Sequence, residues 1–448
     1  MALAAHSHRD RAAALRAVAA ALESQRPGII AHTSKETHLT PEELAPEFDR
    51  MVGTLRLFAA TIKDGSFFEV ASTDSSEPSI GPPHTLRAVR IPVGTVLVFG
   101  ASNFPLSYGV CGGDTASAFA AGCPVVVKEH PAHPKTGRLL HSLAREALSN
   151  QGFEGWLRYV RHTDPADLSV AATWVKDPGI AAVGFTGSVK GGLAIEKLAQ
   201  RRDVPIPVFA EMGSLNPVIV TPRALRARGP AIARLLDASI GMRVGQQCTK
   251  PGIIFVEEGD DVKDFVGELI DRMAQRPTRR MVAPWVERSF QTRVNSVSRV
   301  SGVTSHGSGS VRGGSKRHWL FDCALASLNR TRTLREEIFG PAVVIVRVPN
   351  GTLRLDTDSL SAMLGRLPGN LTCTLHAERA EITGETWRLL APSAGRIILN
   401  GVPTGVRVHD AMVHSGPYPA CNRPESTAVG TRAIGRWTRS VCVQTASR

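Results

Sequence analysis

The sequence predicts an α/β protein built on a parallel, doubly wound sheet, and three observations predict it. Short apolar runs of β type alternate with stretches of helical periodicity about 10–15 residues long. Several of those runs end in a polar or glycine turn that opens a helix, the geometry that places ligands at the carboxyl ends of strands. The 448 residues, 42% hydrophobic and 21% charged, are enough for two or three domains of about 100–200 residues each.

Residues 10–25 carry Ala13, Leu15, Val18, Ala21 and Leu22 at helical spacing, and residues 41–58 repeat the pattern with Leu44, Phe48, Met51, Leu55 and Phe58. From 67 to 93 the pattern changes to short β pieces broken by Pro78, Pro82, Pro83 and Pro92, which reads as a hairpin arm that pairs with another subunit. Strand and helix then alternate: 95–99 strand, 108–121 helix, 125–128 strand, 135–148 helix, 181–185 strand, 190–200 helix, 207–210 strand. This half has the form of a nucleotide-binding layer. Past Pro217 a second α/β block follows, with helices at 230–242 and 262–273 and strands at 252–256 and 342–348. The stretch 301–316, with five glycines, reads as a flexible loop, and 440–445 as a terminal strand.

Lys and Arg number 53 against 40 Asp and Glu, giving +13 and a pI of 9.9. Such an excess attracts phosphates, nucleic acid or an acidic surface, and 43 of the 53 are Arg. The seven cysteines lack CxxC spacing, so neither a disulfide framework nor a zinc ribbon is indicated and a reducing compartment fits better. No run reaches the roughly 18 apolar residues of a membrane span. The charged start with His6, His8, Arg9, Asp10 and Arg11 is unlike a signal peptide. The expected location is the cytoplasm. No metal site is expected: the close pair His130 and His133 lacks a third ligand, and Pro131 breaks the helix between them.

Cys248 stands in a polar turn, Gly245-Gln246-Gln247-Cys248-Thr249-Lys250, between a helix and a strand. An inert buried thiol is one reading, but these polar neighbours suit the partial exposure and easier ionisation a nucleophile needs. Glu211 follows the apolar run 207–210 directly and is either a solvated loop carboxylate or a base that activates water. Asn103 stands in the turn that follows the strand 95–99, where an amide serves a turn or donates to an oxyanion. Lys128 ends 125–128 and is either a solvated strand-end lysine or an ammonium suited to ribose hydroxyls or phosphate. Gly187 and Ser188 form a strand-to-helix turn, which is either a capped glycine turn or a phosphate site on helix amides.

A thiol, a base, an amide donor and a dinucleotide turn together resemble the aldehyde dehydrogenase superfamily. The resemblance spans about 45–445 and is strongest at 100–134, 184–192, 209–217, 245–252, 336–341 and 399–444. The runs GASNFPLSYGVCGGDTASAFAAGCPVVVKEHPAHP, FAEMGSLNP, NGVPTGVRV and AMVHSGPYPA are similar to the branch of α-ketoglutaric semialdehyde (2,5-dioxovalerate) dehydrogenases and NADP-dependent fatty aldehyde dehydrogenase. This implies a Rossmann-like dinucleotide-binding domain (1–66 and 94–213), an α/β catalytic domain (214–422) and a β oligomerisation arm (67–93 and 423–448) in a homodimer or homotetramer.

The resemblance also implies roles. Cys248 attacks the aldehyde, Asn103 and the Cys248 N–H hold the oxyanion, and Glu211 activates the water that releases the acid. Lys128 and Glu337 hold ribose, Gly187 and Ser188 the pyrophosphate, and Phe339 packs near the nicotinamide of NADP or NAD. Pro131 stands where NAD-preferring relatives carry a ribose-binding Glu, which makes a 2′-phosphate acceptable, while Glu129 acts in the opposite sense. His162, Thr163 and Asp164 replace the usual glycine-rich wording, and Lys250 a smaller or neutral residue. The alternative is a catalytically weak homologue acting as a basic binding protein. It rests on the clusters Arg276/Arg279/Arg280, Arg312/Lys316/Arg317 and Arg330/Arg332/Arg335, none of which has the aromatic interleaving that base stacking requires.

Overall fold

A computed structural model describes residues 6–73, 84–162, 164, 167–310, 316–355 and 358–446. The chain divides into two compact units. One comprises the residues up to Ala210 with Val408–Met412 and those from Ser426 onward; the other comprises Glu211–Arg407 and Val413–Glu425. The division thus falls three residues before the expected 213/214 boundary, and 408–412 fold with the first unit.

In the first unit, the helices His8–Ser24 and Pro41–Ile62 each open in a capping box, Ser7 with Asp10 and Thr40 with Glu43. Their apolar stripes, Leu15, Val18 and Leu22 on one and Leu44, Phe48, Met51, Leu55 and Phe58 on the other, enter a single buried core. Between them lies the helix Arg26–Thr37, which sequence periodicity misses because Ile29 is its one buried apolar side chain. Seven strands follow: β1 (Glu69–Thr73), β2 (His84–Pro92), β3 (Thr95–Phe99), β4 (Val125–Lys128), β5 (Leu157–Val160), β6 (Ile180–Thr186) and β7 (Val208–Glu211). Five of them form a sheet in the order β5-β4-β3-β6-β7, with β3 parallel to β4 and β6, and β4 parallel to β5.

The helix expected over 108–121 covers only Gly113–Ala121. The backbone before it is committed elsewhere. The Leu106 and Ser107 amides donate to the buried Glu47 carboxylate (2.8 and 3.0 Å), and the Tyr108 carbonyl accepts from Ala101 N (3.0 Å). A separate three-stranded sheet has β2 at its centre, flanked antiparallel by β1 and by the terminal strand Thr438–Ala446. Pro78, Pro82 and Pro83 of the expected hairpin lie outside the described residues.

The second unit holds β8 (Pro217–Val220), β9 (Ile253–Glu257), β10 (Val303–Ser310), β11 (Lys316–Ala324), β12 (Ala342–Val348), β13 (Asn370–His376) and β14 (Ala394–Leu399). Their order is β10-β11-β12-β9-β8-β13-β14. All neighbours run parallel except β10 and β11. Strand alternation splits the apolar residues between two cores: Val344, Val346 and Val348 face one, Val343 and Ile345 the other. The loop expected over 301–316 is largely strand instead. Its glycine-rich half pairs in register with β11, Gly307 opposite Trp319 and His306 opposite Leu320. Arg312, Gly313 and Gly314 lie outside the described residues. The helix expected over 230–242 begins earlier, at Pro222, where Thr221 accepts from Ala224 N and Pro222 occupies the first turn.

The basic clusters are partly paired. Arg276 meets Asp237, Arg317 meets Glu287 at 2.5 Å, and Arg332 meets Glu336 at 3.2 Å. Arg317 is buried and Arg276 nearly so, so neither offers its charge to a partner surface.

Candidate active site

Cys248 is half-buried, on a loop between the helix Pro222–Gly241 and β9. A buried asparagine holds that loop. Asn216 Nδ2 donates to the carbonyls of Cys248 (2.7 Å) and Lys250 (2.9 Å). Asn216 Oδ1 accepts from the Ser214 and Thr372 hydroxyls, both at 2.9 Å, and Asn370 Oδ1 takes the Leu215 and Asn216 amides. Two strand ends therefore clamp the backbone on which the thiol sits.

The approach to the thiol is wound left-handed through three successive residues, Arg243, Val244 and Gly245, at φ 53°, 59° and 66°. Two of them bear side chains, and each such residue costs about 1–2 kcal/mol. At Gly245 the space is closed as well: a Cβ would stand 2.3 Å from the Gly340 carbonyl carbon. Gly245→Ala is therefore expected to destabilise the protein by about 2–5 kcal/mol, adding the backbone and overpacking costs. Thermal unfolding measures this against Gly267→Ala, a helical site with nothing within 4 Å, which should be neutral or mildly stabilising.

Glu211, the last residue of β7, is buried and bridges antiparallel to Cys421, while Met212 N donates to the Ala420 carbonyl (2.8 Å). This brings the returning segment 413–425 against the strand end. The segment lies close enough on β13 that a Cβ at Gly416 would stand 2.0 Å from the Asn370 carbonyl oxygen. The pairing delivers a histidine of the AMVHSGPYPA run to which the sequence alone gives no role. Buried His414 places Nε2 3.0 Å from Glu211 Oε1 and 3.7 Å from Cys248 Sγ. The sulfur, one imidazole nitrogen and one carboxylate oxygen all lie within 4.8 Å of one another. Neither Glu211 oxygen makes a hydrogen bond of good geometry, so the 3.0 Å approach of His414 is a close contact rather than a formed hydrogen bond. The signal available in the sequence was a lone His among Gly and Pro residues, which has no periodicity to flag it.

Lys250 is fully buried, and its Nζ donates to the Ala342 carbonyl at 2.6 Å. Burial lowers its pKa, and the nearby Glu337 carboxylate opposes that shift. Burial raises the Glu337 pKa, against the pull of Lys250 and of a hydrogen bond from the Ser214 backbone. Glu337 keeps part of its surface accessible, but its carboxyl is closely packed. Phe339, two residues on, is half-buried.

In the first unit, Asn103 is buried in the turn after β3. Lys128 ends β4 and donates from Nζ to Nδ1 of buried His162 (2.8 Å), whose Nε2–H donates to the Asp167 carbonyl (2.8 Å). Desolvation lowers the Lys128 pKa to about 8, partly opposed by Glu129. Glu129 is itself buried and held by Arg138 at 2.9 and 3.3 Å. Gly187 and Ser188 form an exposed turn at the end of β6, and the Ser188 hydroxyl accepts from Gly191 N as cap of the helix Val189–Gln200. His130 and His133, which no helix was expected to place on one face because of Pro131, stack at 4.9 Å with an interplanar angle of 16°. The helix starts only at Pro134, so the turn itself brings the rings together.

The second unit thus brings a half-buried thiol, a carboxylate and an imidazole together, the first is built on a parallel α/β layer, and the family match makes the class an oxidoreductase. The chain belongs to the aldehyde dehydrogenase family, which residues 2–352 match. It is 38% identical over 97% of its length, and 82% of the relative's, to α-ketoglutaric semialdehyde dehydrogenase 2 of Azospirillum brasilense. It is 39% identical over 93% of its length, and 78% of the relative's, to α-ketoglutaric semialdehyde dehydrogenase of Acinetobacter baylyi. Betaine aldehyde dehydrogenase of Staphylococcus aureus, in complex with NAD+, shares the fold with a TM-score of 0.82 and 19% identity, over 99% of this chain and 84% of that one.

Proposed function

We propose that the enzyme oxidises a carboxylate-bearing semialdehyde of the α-ketoglutaric semialdehyde (2,5-dioxovalerate) type to the acid, with NAD or NADP as oxidant. The observation that carries this is the trio Cys248, Glu211 and His414 with donor atoms within 4.8 Å, in a chain whose relatives are named for that substrate. The Cys248 thiol passes its proton to His414 and its sulfur attacks the aldehyde carbon. The Cys248 N–H and the Asn103 amide are the donors assigned to the resulting oxyanion. The thiohemiacetal carbon loses hydride and becomes a thioester. Glu211 takes a proton from water, the hydroxide adds to the thioester, and the acid leaves; the thiolate takes back its proton from His414 and Glu211 releases its own to solvent. A bound nicotinamide supplies the hydride acceptor.

The residues present suit that dinucleotide. Lys128 and the exposed Gly187 and Ser188 stand at carboxyl ends of strands in one parallel sheet, with helix amides behind Ser188. Lys128 and Glu337 are assigned the ribose hydroxyls, Gly187 and Ser188 the pyrophosphate, and Phe339 the nicotinamide end. Because Glu129 is engaged by Arg138 and position 131 is Pro, no free carboxylate opposes a 2′-phosphate from that turn, which favours acceptance of NADP.

His162 aims Lys128. Replacing it with Leu leaves the ammonium unpartnered, a cost of about 1–3 kcal/mol. We expect His162→Leu to weaken cofactor binding by about 5- to 100-fold, read from equilibrium titration of tryptophan fluorescence. Unchanged affinity would remove His162 from the site.

The three-stranded sheet has two edges, β1 and the terminal strand, and we assign it to subunit contacts in a homodimer or homotetramer. Among the described residues no helix is long and apolar enough to cross a membrane, and seven free cysteines suit a reducing, cytoplasmic setting. The test is a panel of semialdehydes and unbranched aliphatic aldehydes with NAD and with NADP, followed at the reduced-nicotinamide absorbance. Turnover fastest on a carboxylate-bearing semialdehyde is expected. Failure on every aldehyde by folded protein overturns the proposal.

A further inference from the structure

The same trio has the chemistry of a metal site. A thiol, an imidazole and a carboxylate are the donor types zinc selects over magnesium or calcium, which prefer oxygen ligands. With Zn–S about 2.3 Å and Zn–N and Zn–O about 2.0–2.2 Å in a tetrahedron, neighbouring ligand atoms stand roughly 3.3–3.6 Å apart. Here His414 Nε2 lies 3.7 Å from Cys248 Sγ and 3.0 Å from Glu211 Oε1, so adjustments of a few tenths of an ångström complete two edges. The third edge, between sulfur and carboxylate, is at most 4.8 Å, which a carboxylate rotation shortens. A second observation points into the same spot: neither oxygen of the buried Glu211 makes a hydrogen bond of good geometry, Oε1 having only the close approach of His414, which leaves lone pairs that an ion would take up.

We propose that Glu211, Cys248 and His414 form an inhibitory Zn2+ site. As the ion binds, the Cys248 S–H bond breaks, its proton passes to solvent, and a Zn–S bond forms; nothing is oxidised or reduced. His414 Nε2 binds as a neutral nitrogen, and Glu211 binds as the carboxylate. A water fills the fourth position, facing the half-exposed side of the thiol. The occupied site has no free thiolate and no free base, so the enzyme is held in an off state that a chelator reverses. That consequence rests on the aldehyde oxidation proposed above. The binding itself does not.

The test uses the whole chain in a Cys442→Ser background, which removes the exposed thiol on the terminal strand. Chelator-treated protein without aldehyde or cofactor is titrated with zinc sulfate in a calorimeter, with magnesium chloride as control. One zinc site per chain and no magnesium heat are expected. Loss of a supporting partner of a metal ligand costs about 10- to 100-fold, so loss of a ligand itself should cost at least 100-fold in Cys248→Ser and in His414→Asn. Glu211→Gln, which keeps a carbonyl oxygen, should cost about tenfold. Each variant is first checked for its unfolding midpoint, with Cys248→Ala as a second thiol-free form.

In parallel, mass spectrometry follows alkylation of Cys248 by iodoacetamide. Zinc should protect this residue and a chelator should restore its labelling. Absence of zinc binding, wild-type affinity in either folded ligand variant, or unprotected Cys248 would overturn the proposal. Calorimetry and alkylation need no turnover, so an enzyme that failed the aldehyde panel but bound zinc through the trio would separate the two readings.

Discussion

Cys248→Ser is expected to lower kcat/KM for aldehyde oxidation by at least about 10⁴-fold while leaving fold and cofactor binding in place. Removing a covalent nucleophile leaves only the rate due to binding and oxyanion stabilisation, and losses of about 10⁴–10⁶ are typical. Serine is nearly isosteric, but a hydroxyl is a far weaker acid than a thiol. At 3.7 Å the His414 nitrogen suits the larger sulfur and is out of hydrogen-bond reach of a shorter-bonded hydroxyl oxygen. Stability should hardly move. The loop's anchor is the Cys248 carbonyl, which accepts from Asn216 whatever the side chain. The measurement pairs reduced-nicotinamide absorbance with a thermal melt and a cofactor titration. Cys442→Ser, at an exposed position on the terminal strand, is the control and should keep full activity. Activity above about 1% in the Cys248 variant, with the melt unchanged, would move the nucleophile elsewhere.

The two halves of this site differ in how far they were legible. Glu211 and Cys248 could be read because each interrupts a local pattern: a carboxylate directly after an apolar strand, and a thiol among polar turn residues. His414 could not. It lies 166 residues from Cys248, and the Glu211 to Cys421 bridge that delivers it is a backbone pairing with no counterpart in local periodicity. The same limit explains the glycine-rich stretch from 301. Its composition speaks for a loop, but pairing with β11 supplies the hydrogen bonds its side chains do not reward.

Conversely, the parallel order of strands was visible because apolar runs such as 125–128 and 342–348 are buried on both faces and show no alternation. The meaning of Lys250 also waited for the structure. As a letter two places after the thiol it is a departure from the family wording. In the fold it is a fully buried lysine whose Nζ donates to the Ala342 carbonyl and whose charge acts on the carboxyl of Glu337, one of the residues assigned to ribose.

Glu211→Gln should separate the two chemical steps. In the proposed mechanism, attack by Cys248 and loss of hydride need no base at Glu211, because the thiol proton is assigned to His414, 3.7 Å from the sulfur and 3.0 Å from the carboxylate. Hydrolysis does need one: a carbonyl oxygen of glutamine cannot hold the proton that water must lose. The expected result is a burst of one reduced nicotinamide per active site, followed by a steady rate lowered by about 10²–10⁴-fold, the usual worth of a positioned base. Rapid mixing measures the burst, and mass spectrometry of quenched protein should find the acyl group on the peptide containing Cys248. Hydroxylamine, which attacks a thioester without a general base, should release it as the hydroxamate and restore turnover. The alternative is that His414 is the base for water and Glu211 merely orients it. In that case Glu211→Gln would lower burst and steady phases together and leave no acyl adduct, because a misplaced imidazole would already fail at the first proton transfer.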